Sequence, residues 1–162
     1  MKELIESLFE MGMNMAQPYQ YRIGKCNKLA CFYYFNIEDD DKYSVRFINL
    51  GEILNNKKQI WQTEFVIPGG EYDKKIISKE KSYKVIYTVI AIIKDFITDH
   101  DVEGLNISPA LNYSEDERRY NLCIRYIDKL LPEFPHWKKN WTPFTKTIVL
   151  RKKKRAKFVK CL

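Results

Sequence analysis

Residues 82–100 read SYKVIYTVIAIIKDFITDH, and this stretch decides the fold. A buried strand runs for about 4–8 residues, so the apolar run is too long for one. At helical spacing, Lys84, Thr88, Ala91, Asp95 and Thr98 recur every three or four positions and line one narrow small-or-polar stripe. Val85, Ile86, Val89, Ile90, Ile93, Phe96 and Ile97 cover every other side. A helix that is apolar nearly all round is a buried one. The prediction is a central helix laid across a sheet.

The sheet is sought upstream. LACFYYFNI (Leu29 to Ile37) and KYSVRFINL (Lys42 to Leu50) are rich in aromatic and β-branched residues, with the polar EDDD (Glu38 to Asp41) between them. Tyr43, Val45 and Phe47 alternate with Ser44 and Arg46, the period of a strand with one buried and one wetter face. QIWQTEFVI (Gln59 to Ile67) reads as a further strand with Trp61, Thr63 and Phe65 on a shared face, and Gln20 to Cys26 as one that precedes the meander. Pro68-Gly69-Gly70 open a loop.

Downstream, EGLNISPA (Glu103 to Ala110) predicts a short strand. SEDERRYNLCIRYIDKLL (Ser114 to Leu131) predicts an amphipathic helix, started by a Ser114/Glu117 capping box and stopped by Pro132 and Pro135. FPHWKKNWTPF (Phe134 to Phe144) reads as an aromatic loop and TKTIVLRK (Thr145 to Lys152) as a last strand. Lys2 to Met13 form a short amphipathic helix, with Leu4, Ile5, Leu8 and Phe9 on one face. The expected class is therefore α+β: an antiparallel β-meander of three to four strands, then α-β-α-β, with the central apolar helix packed on the sheet. One domain covers 1–150, its N-terminal helix 1–15, and a basic tail covers 151–162.

The chain has 162 residues and a formal charge of +7. RKKKRAKFVK (Arg151 to Lys160) holds enough of the Lys and Arg that the remainder carries as many acids as bases. A neutral body with a basic end is unlike a protein that coats DNA with its whole surface, and suits a tail that touches nucleic acid or an acidic protein. No segment reaches the roughly 20 apolar residues of a membrane span, and the N-terminus lacks a secretory pattern. The expectation is an intracellular protein with reduced cysteines.

Chemistry-bearing motifs are sparse. Cys26, Cys31, Cys123 and Cys161 have no zinc-site spacing. His100, between Asp99 and Asp101, reads as a solvated connection, and His136 as a loop residue. G-x-S-x-G, H-E-x-x-H, P-loop and G-x-G-x-x-G patterns are missing from the sequence. Neither enzymatic activity nor a cofactor or metal is expected. Two features suit binding. One is the tail: Arg151, Lys152, Lys153, Lys154, Arg155 and Lys157, whose charges would release counterions from a polyanion. The other is Trp137 and Trp141 bracketing Lys138 and Lys139, the residue types that stack bases and hold phosphates. Arg119 stands on the apolar arc of its helix, where a guanidinium needs a partner. It is expected to be a structural latch, with Asp95 or Glu64 as the acid.

YSVRF (Tyr43 to Phe47), Thr88-Val89 with Ile92 and Asp95-Phe96, LNIS, and Arg119 with Leu122, Cys123 and Arg125 together resemble a loose group of small uncharacterised α+β proteins from tailed phages and bacteria. That group carries a T-V-x-x-I-x-x-D-F helix and an R-x-x-L-Y-x-R helix; Cys123 stands where the group has Tyr. The resemblance implies a phage-type origin and the α+β layout, and no reaction. The expected function is an accessory protein that binds a host or phage macromolecule, inhibiting a host enzyme or defence system being one use. Nucleic-acid binding through the tail and the Trp137–Trp141 segment is the second reading, and a structural virion component the third.

Overall fold

The structure, a computed structural model, describes residues 17–37, 42–55, 58–66, 79–108, 116–142 and 147–153. The expected helix over 1–15, the turn at Glu38 to Asp41, the loop after Pro68, the Ser114 cap and the tail beyond Lys153 lie outside them. The class is mixed α+β. One seven-stranded sheet holds β1 (Tyr21–Cys26), β2 (Ala30–Asn36), β3 (Lys42–Asn49), β4 (Ile60–Val66), β5 (Gly104–Ser108), β6 (Trp137–Thr142) and β7 (Thr147–Lys152). Its order is β1-β2-β3-β4-β5-β7-β6. Among the described residues three α-helices accompany it: α1 (Leu50–Ile53), α2 (Lys79–Asp99) and α3 (Asp116–Leu130).

β1 to β4 pair antiparallel with their chain neighbours. β4 and β5 are parallel, because the long helix α2 carries the chain back to the end where β4 began. β7 then pairs antiparallel with both β5 and β6. The aromatic loop expected over Phe134 to Phe144 is thus largely a strand. Likewise Arg151 and Lys152, expected in the tail, are the last residues of β7. Both differences have one cause. Among the described residues β6 bonds only to β7, and that pairing carries β7 on through Lys152; alternation leaves Lys138 exposed on one face and puts Lys139 on the other with Trp137.

Alternation assigns the two faces. Tyr33, Phe35, Tyr43, Val45, Phe47, Trp61, Leu105, Ile148 and Leu150 are buried on one side of the sheet. Ile86, Ile90, Ile93 and Phe96 of α2 and Tyr126 and Ile127 of α3 complete that core. Phe96 is fully buried and lies parallel to Phe47 with ring centroids 3.8 Å apart. Trp61 meets the same ring edge-on at 5.1 Å. Burying one such aromatic ring stabilises the fold by roughly 1.5–3 kcal/mol.

The small-or-polar stripe of α2 has specific uses. Thr88 is fully buried; its hydroxyl donates to the Lys84 carbonyl at 2.7 Å and accepts the Tyr19 amide at 2.8 Å. Asp95 accepts the Tyr21 phenol hydrogen. The stripe is therefore where the segment leading into β1 ties to the helix. The short helix α1, which the sequence does not signal, is capped by Asn49, whose Oδ1 accepts the Glu52 amide at 3.1 Å. Asn55, at φ 50°, takes the left-handed conformation just beyond it.

Candidate functional site

Both long helices contribute to the core on one side of the sheet and leave the other side to the alternate, half-buried strand residues. On that open face the strand register sets Arg22 beside Tyr34, and Phe32 beside Arg46 and then Glu64. Phe32 and Tyr34 are half-buried, with rings 9° from parallel and centroids 6.5 Å apart. The Lys42 ammonium sits 4.2 Å from the Tyr34 ring centre, a cation–π contact. Arg46 pairs with Glu64 at 2.8 Å.

At the far end of the same face, Arg151 lies flat across Gly104. A Cβ there would come within 2.8 Å of its Cδ and Nη1. Its guanidinium donates to Asn106 Oδ1 at 2.9 Å and to the Leu150 carbonyl at 2.8 Å. Burial pulls its pKa down. Lys138 is exposed beside it in register. The face thus presents Arg22, Lys42, Arg46, Lys138 and Arg151 against one described acid, Glu64.

The residues picked out by sequence fare differently. Trp137 is buried, 7% exposed, and so is no open stacking platform. It faces the core because it shares the parity of Leu150 and Ile148 across the β6–β7 pair. Lys139 has the same parity; its ammonium is taken by Asp128 of α3. Lys138 and Lys139 therefore point to opposite sides of the sheet rather than acting together. Lys152 is exposed, 5.8 Å from the Trp137 ring centre, and Lys153 is exposed just past the strand. Trp141 belongs to β6, but its side chain is outside the described residues, as are Lys154, Arg155 and Lys157. Arg119 falls within α3 and its side chain is also outside them. The two acids considered for it have other partners: Asp95 bonds Tyr21 and Glu64 bonds Arg46.

A second constellation has no local signature in the sequence. Cys26 and Cys31 are register partners across the β1–β2 hairpin and form a disulfide. This corrects the expectation of reduced cysteines: the Asn27 turn, whose side-chain Oδ1 accepts the Leu29 and Ala30 amides, folds the two strands side by side with the cysteines opposite each other. His100, just past the end of α2, is half-buried rather than a solvated connection. Its ring stacks on Phe96 at 4.4 Å. Nδ1 lies 3.1 Å from the Phe96 carbonyl and Nε2 lies 3.4 Å from Cys26 Sγ. A cavity of about 580 Å³ opens beside them, lined among others by Asn49, Gln59 and Trp61.

No helix among the described residues is long and apolar enough to cross a membrane. Comparisons with known protein families, with curated proteins and with solved structures find nothing that matches this chain, so the reading of its sites rests on geometry and chemistry alone.

Proposed function

We propose that the chain binds single-stranded nucleic acid across the open face of its sheet, as an accessory protein of phage type acting in the host cytoplasm. The observation that carries this reading is the parallel Phe32–Tyr34 pair set among Arg22, Lys42 and Arg46 on a face with one described acid. Unstacked bases lie on aromatic rings, each contributing about 1–3 kcal/mol, while Arg and Lys track the phosphates. Seven strands spaced about 4.8 Å apart give a platform roughly 30 Å wide. Arg151 and Lys138 extend the cationic track to the opposite edge, where the chain continues through Lys153 into the basic segment 154–162.

Duplex DNA fits this face less well. Its bases are stacked on one another and present no ring faces to Phe32 and Tyr34.

Fluorescence anisotropy with labelled single strands of DNA and RNA, and with a matched duplex, tests the proposal. Single strands are expected to bind more tightly than the duplex, and to weaken as salt rises. Lack of binding at low salt ends the reading. So does affinity that is unchanged in the double variant Phe32→Ala/Tyr34→Ala. Retention of a stoichiometric protein from nuclease-treated lysate, abolished in the same variant, would assign the face to a protein partner instead.

A further inference from the structure

We propose that Cys26, Cys31 and His100 form a binding site for a thiophilic divalent cation, Zn²⁺ first among them, which opens to the metal only when the Cys26–Cys31 disulfide is reduced. The site is separate from the open sheet face: Cys31 shares the buried face with Tyr33 and Phe47. It rests on none of the residues invoked for nucleic-acid binding.

Three ligand atoms of the right chemistry already converge. The two sulfurs and one imidazole nitrogen lie within 4.8 Å of one another. Tetrahedral zinc with Zn–S near 2.3 Å and Zn–N near 2.0–2.1 Å separates sulfur from nitrogen by roughly 3.6 Å. Nε2 of His100 is 3.4 Å from Cys26 Sγ, close to that separation before any metal is considered. The two sulfurs must part to roughly 3.8 Å in the same geometry, a change that χ1 rotation of exposed Cys26 supplies while Cys31 stays buried.

The imidazole is held in the tautomer that a metal needs. A carbonyl oxygen only accepts, so the 3.1 Å contact to the Phe96 carbonyl places the hydrogen of the neutral ring on Nδ1. Once Cys26 is reduced, Nε2 can then offer its lone pair to a metal beside that sulfur. A backbone carbonyl on the far nitrogen is the usual outer support of a metal-binding histidine. The stack on Phe96 fixes the ring plane. The cavity gives the ion a route in and leaves the fourth coordination position to water. Trp61, in its wall, has a buried indole Nε1–H with no hydrogen-bond partner among the described residues, an unused donor beside the site.

The redox step balances simply. A dithiol or phosphine reductant supplies two electrons, two protons are taken up, and the S–S bond becomes two thiols. Zn²⁺ then displaces both thiol protons as it binds two thiolates and the neutral imidazole. In the oxidised form neither sulfur can serve as a thiolate ligand.

The test uses the full chain carrying Cys161→Ser, which removes the terminal thiol. Protein reduced with a phosphine, and the same protein left oxidised, are each titrated with Co²⁺ followed by absorbance, then with Zn²⁺ in competition. One ion per reduced chain, a sulfur-to-cobalt charge-transfer band, and no such band in the oxidised chain are expected. Cys26→Ser and His100→Gln should each weaken binding by at least about 100-fold, more than the loss of an outer support. Equal affinity of the oxidised and reduced chains overturns the proposal, as does full binding by either variant. Should a substitution disturb folding, the oxidised chain is itself the blocked control, with all side chains in place.

Discussion

Tyr21 donates its phenol hydrogen to the carboxylate of Asp95, joining the outermost strand of the sheet to its central helix. Among the described residues β1 has one strand neighbour, and Arg22, Ile23 and Lys25 along it are exposed. Its attachment therefore leans on side-chain ties to α2. Tyr21→Phe removes one of them while keeping the ring. The expected cost is about 1–2 kcal/mol, the scale of a half-buried hydrogen bond to a charged group. Urea unfolding followed by circular dichroism measures it, and amide exchange in β1 should quicken more than in β3.

Thr88 makes the neighbouring tie. Thr88→Val keeps the shape of the side chain but strands the Tyr19 amide, which donates to the Thr88 hydroxyl at 2.8 Å. A destabilisation of about 1–3 kcal/mol follows if that amide finds no other acceptor. Thr88→Ser, which keeps the hydroxyl, should recover most of it. Equal melting of the Val and Ser variants would remove Thr88 from this role.

Alkaline pH should unfold the protein through its tyrosines. Burial pushes Tyr33 up to about 12, aided by Asp99 and Asp95, and pushes Tyr126 up to about 12. Burial, then the bond to Asp95, also raises Tyr21. These phenols ionise near 10 in the unfolded chain. Above that pH the unfolded chain gives up protons that the folded chain keeps, so the equilibrium moves toward unfolding. The contribution is whole below about pH 10 and is lost as pH climbs toward 12. Urea midpoints across this interval should fall, and Tyr33→Phe should make the fall shallower.

The open face makes a prediction separable from folding. Tyr34 is half-buried and its ring covers Gly24, where a Cβ would meet Tyr34 Cε2 at 2.3 Å. Tyr34→Ala and Phe32→Ala are each expected to weaken single-strand affinity by about 1–3 kcal/mol. Arg22→Ala should instead flatten the dependence of log affinity on log salt, by about 0.7 for each phosphate that the guanidinium neutralises. Truncation after Lys153 should lower both affinity and salt slope. The variants are compared at equal helical content, so that a folding defect is not mistaken for a binding one.

Much of the architecture was legible because it follows from local periodicity. The run at 82–100 had to be a mostly buried helix, and α2 spans Lys79–Asp99. Alternation in Tyr43, Val45 and Phe47 announced the buried face of β3. β6 was not legible, although Trp137, Lys139 and Trp141 do alternate. Its adjacent lysines and flanking prolines imitate a loop, and only pairing with β7 makes it a strand. The same pairing takes Trp137 and Lys139 out of the binding surface expected for them and leaves Lys138 on the other side.

By itself the sequence determined the long helices, most of the strands, the α+β class and the neutral body with its basic end, since composition and residue period are local properties. The tertiary structure alone decided which face of the sheet the described helices leave uncovered and which of the described cations share it, because that depends on where the helices pack. It alone brought His100 to Cys26, 74 residues away in the chain. No local pattern encodes that meeting: it follows from a helix crossing the sheet and ending over the β1–β2 hairpin.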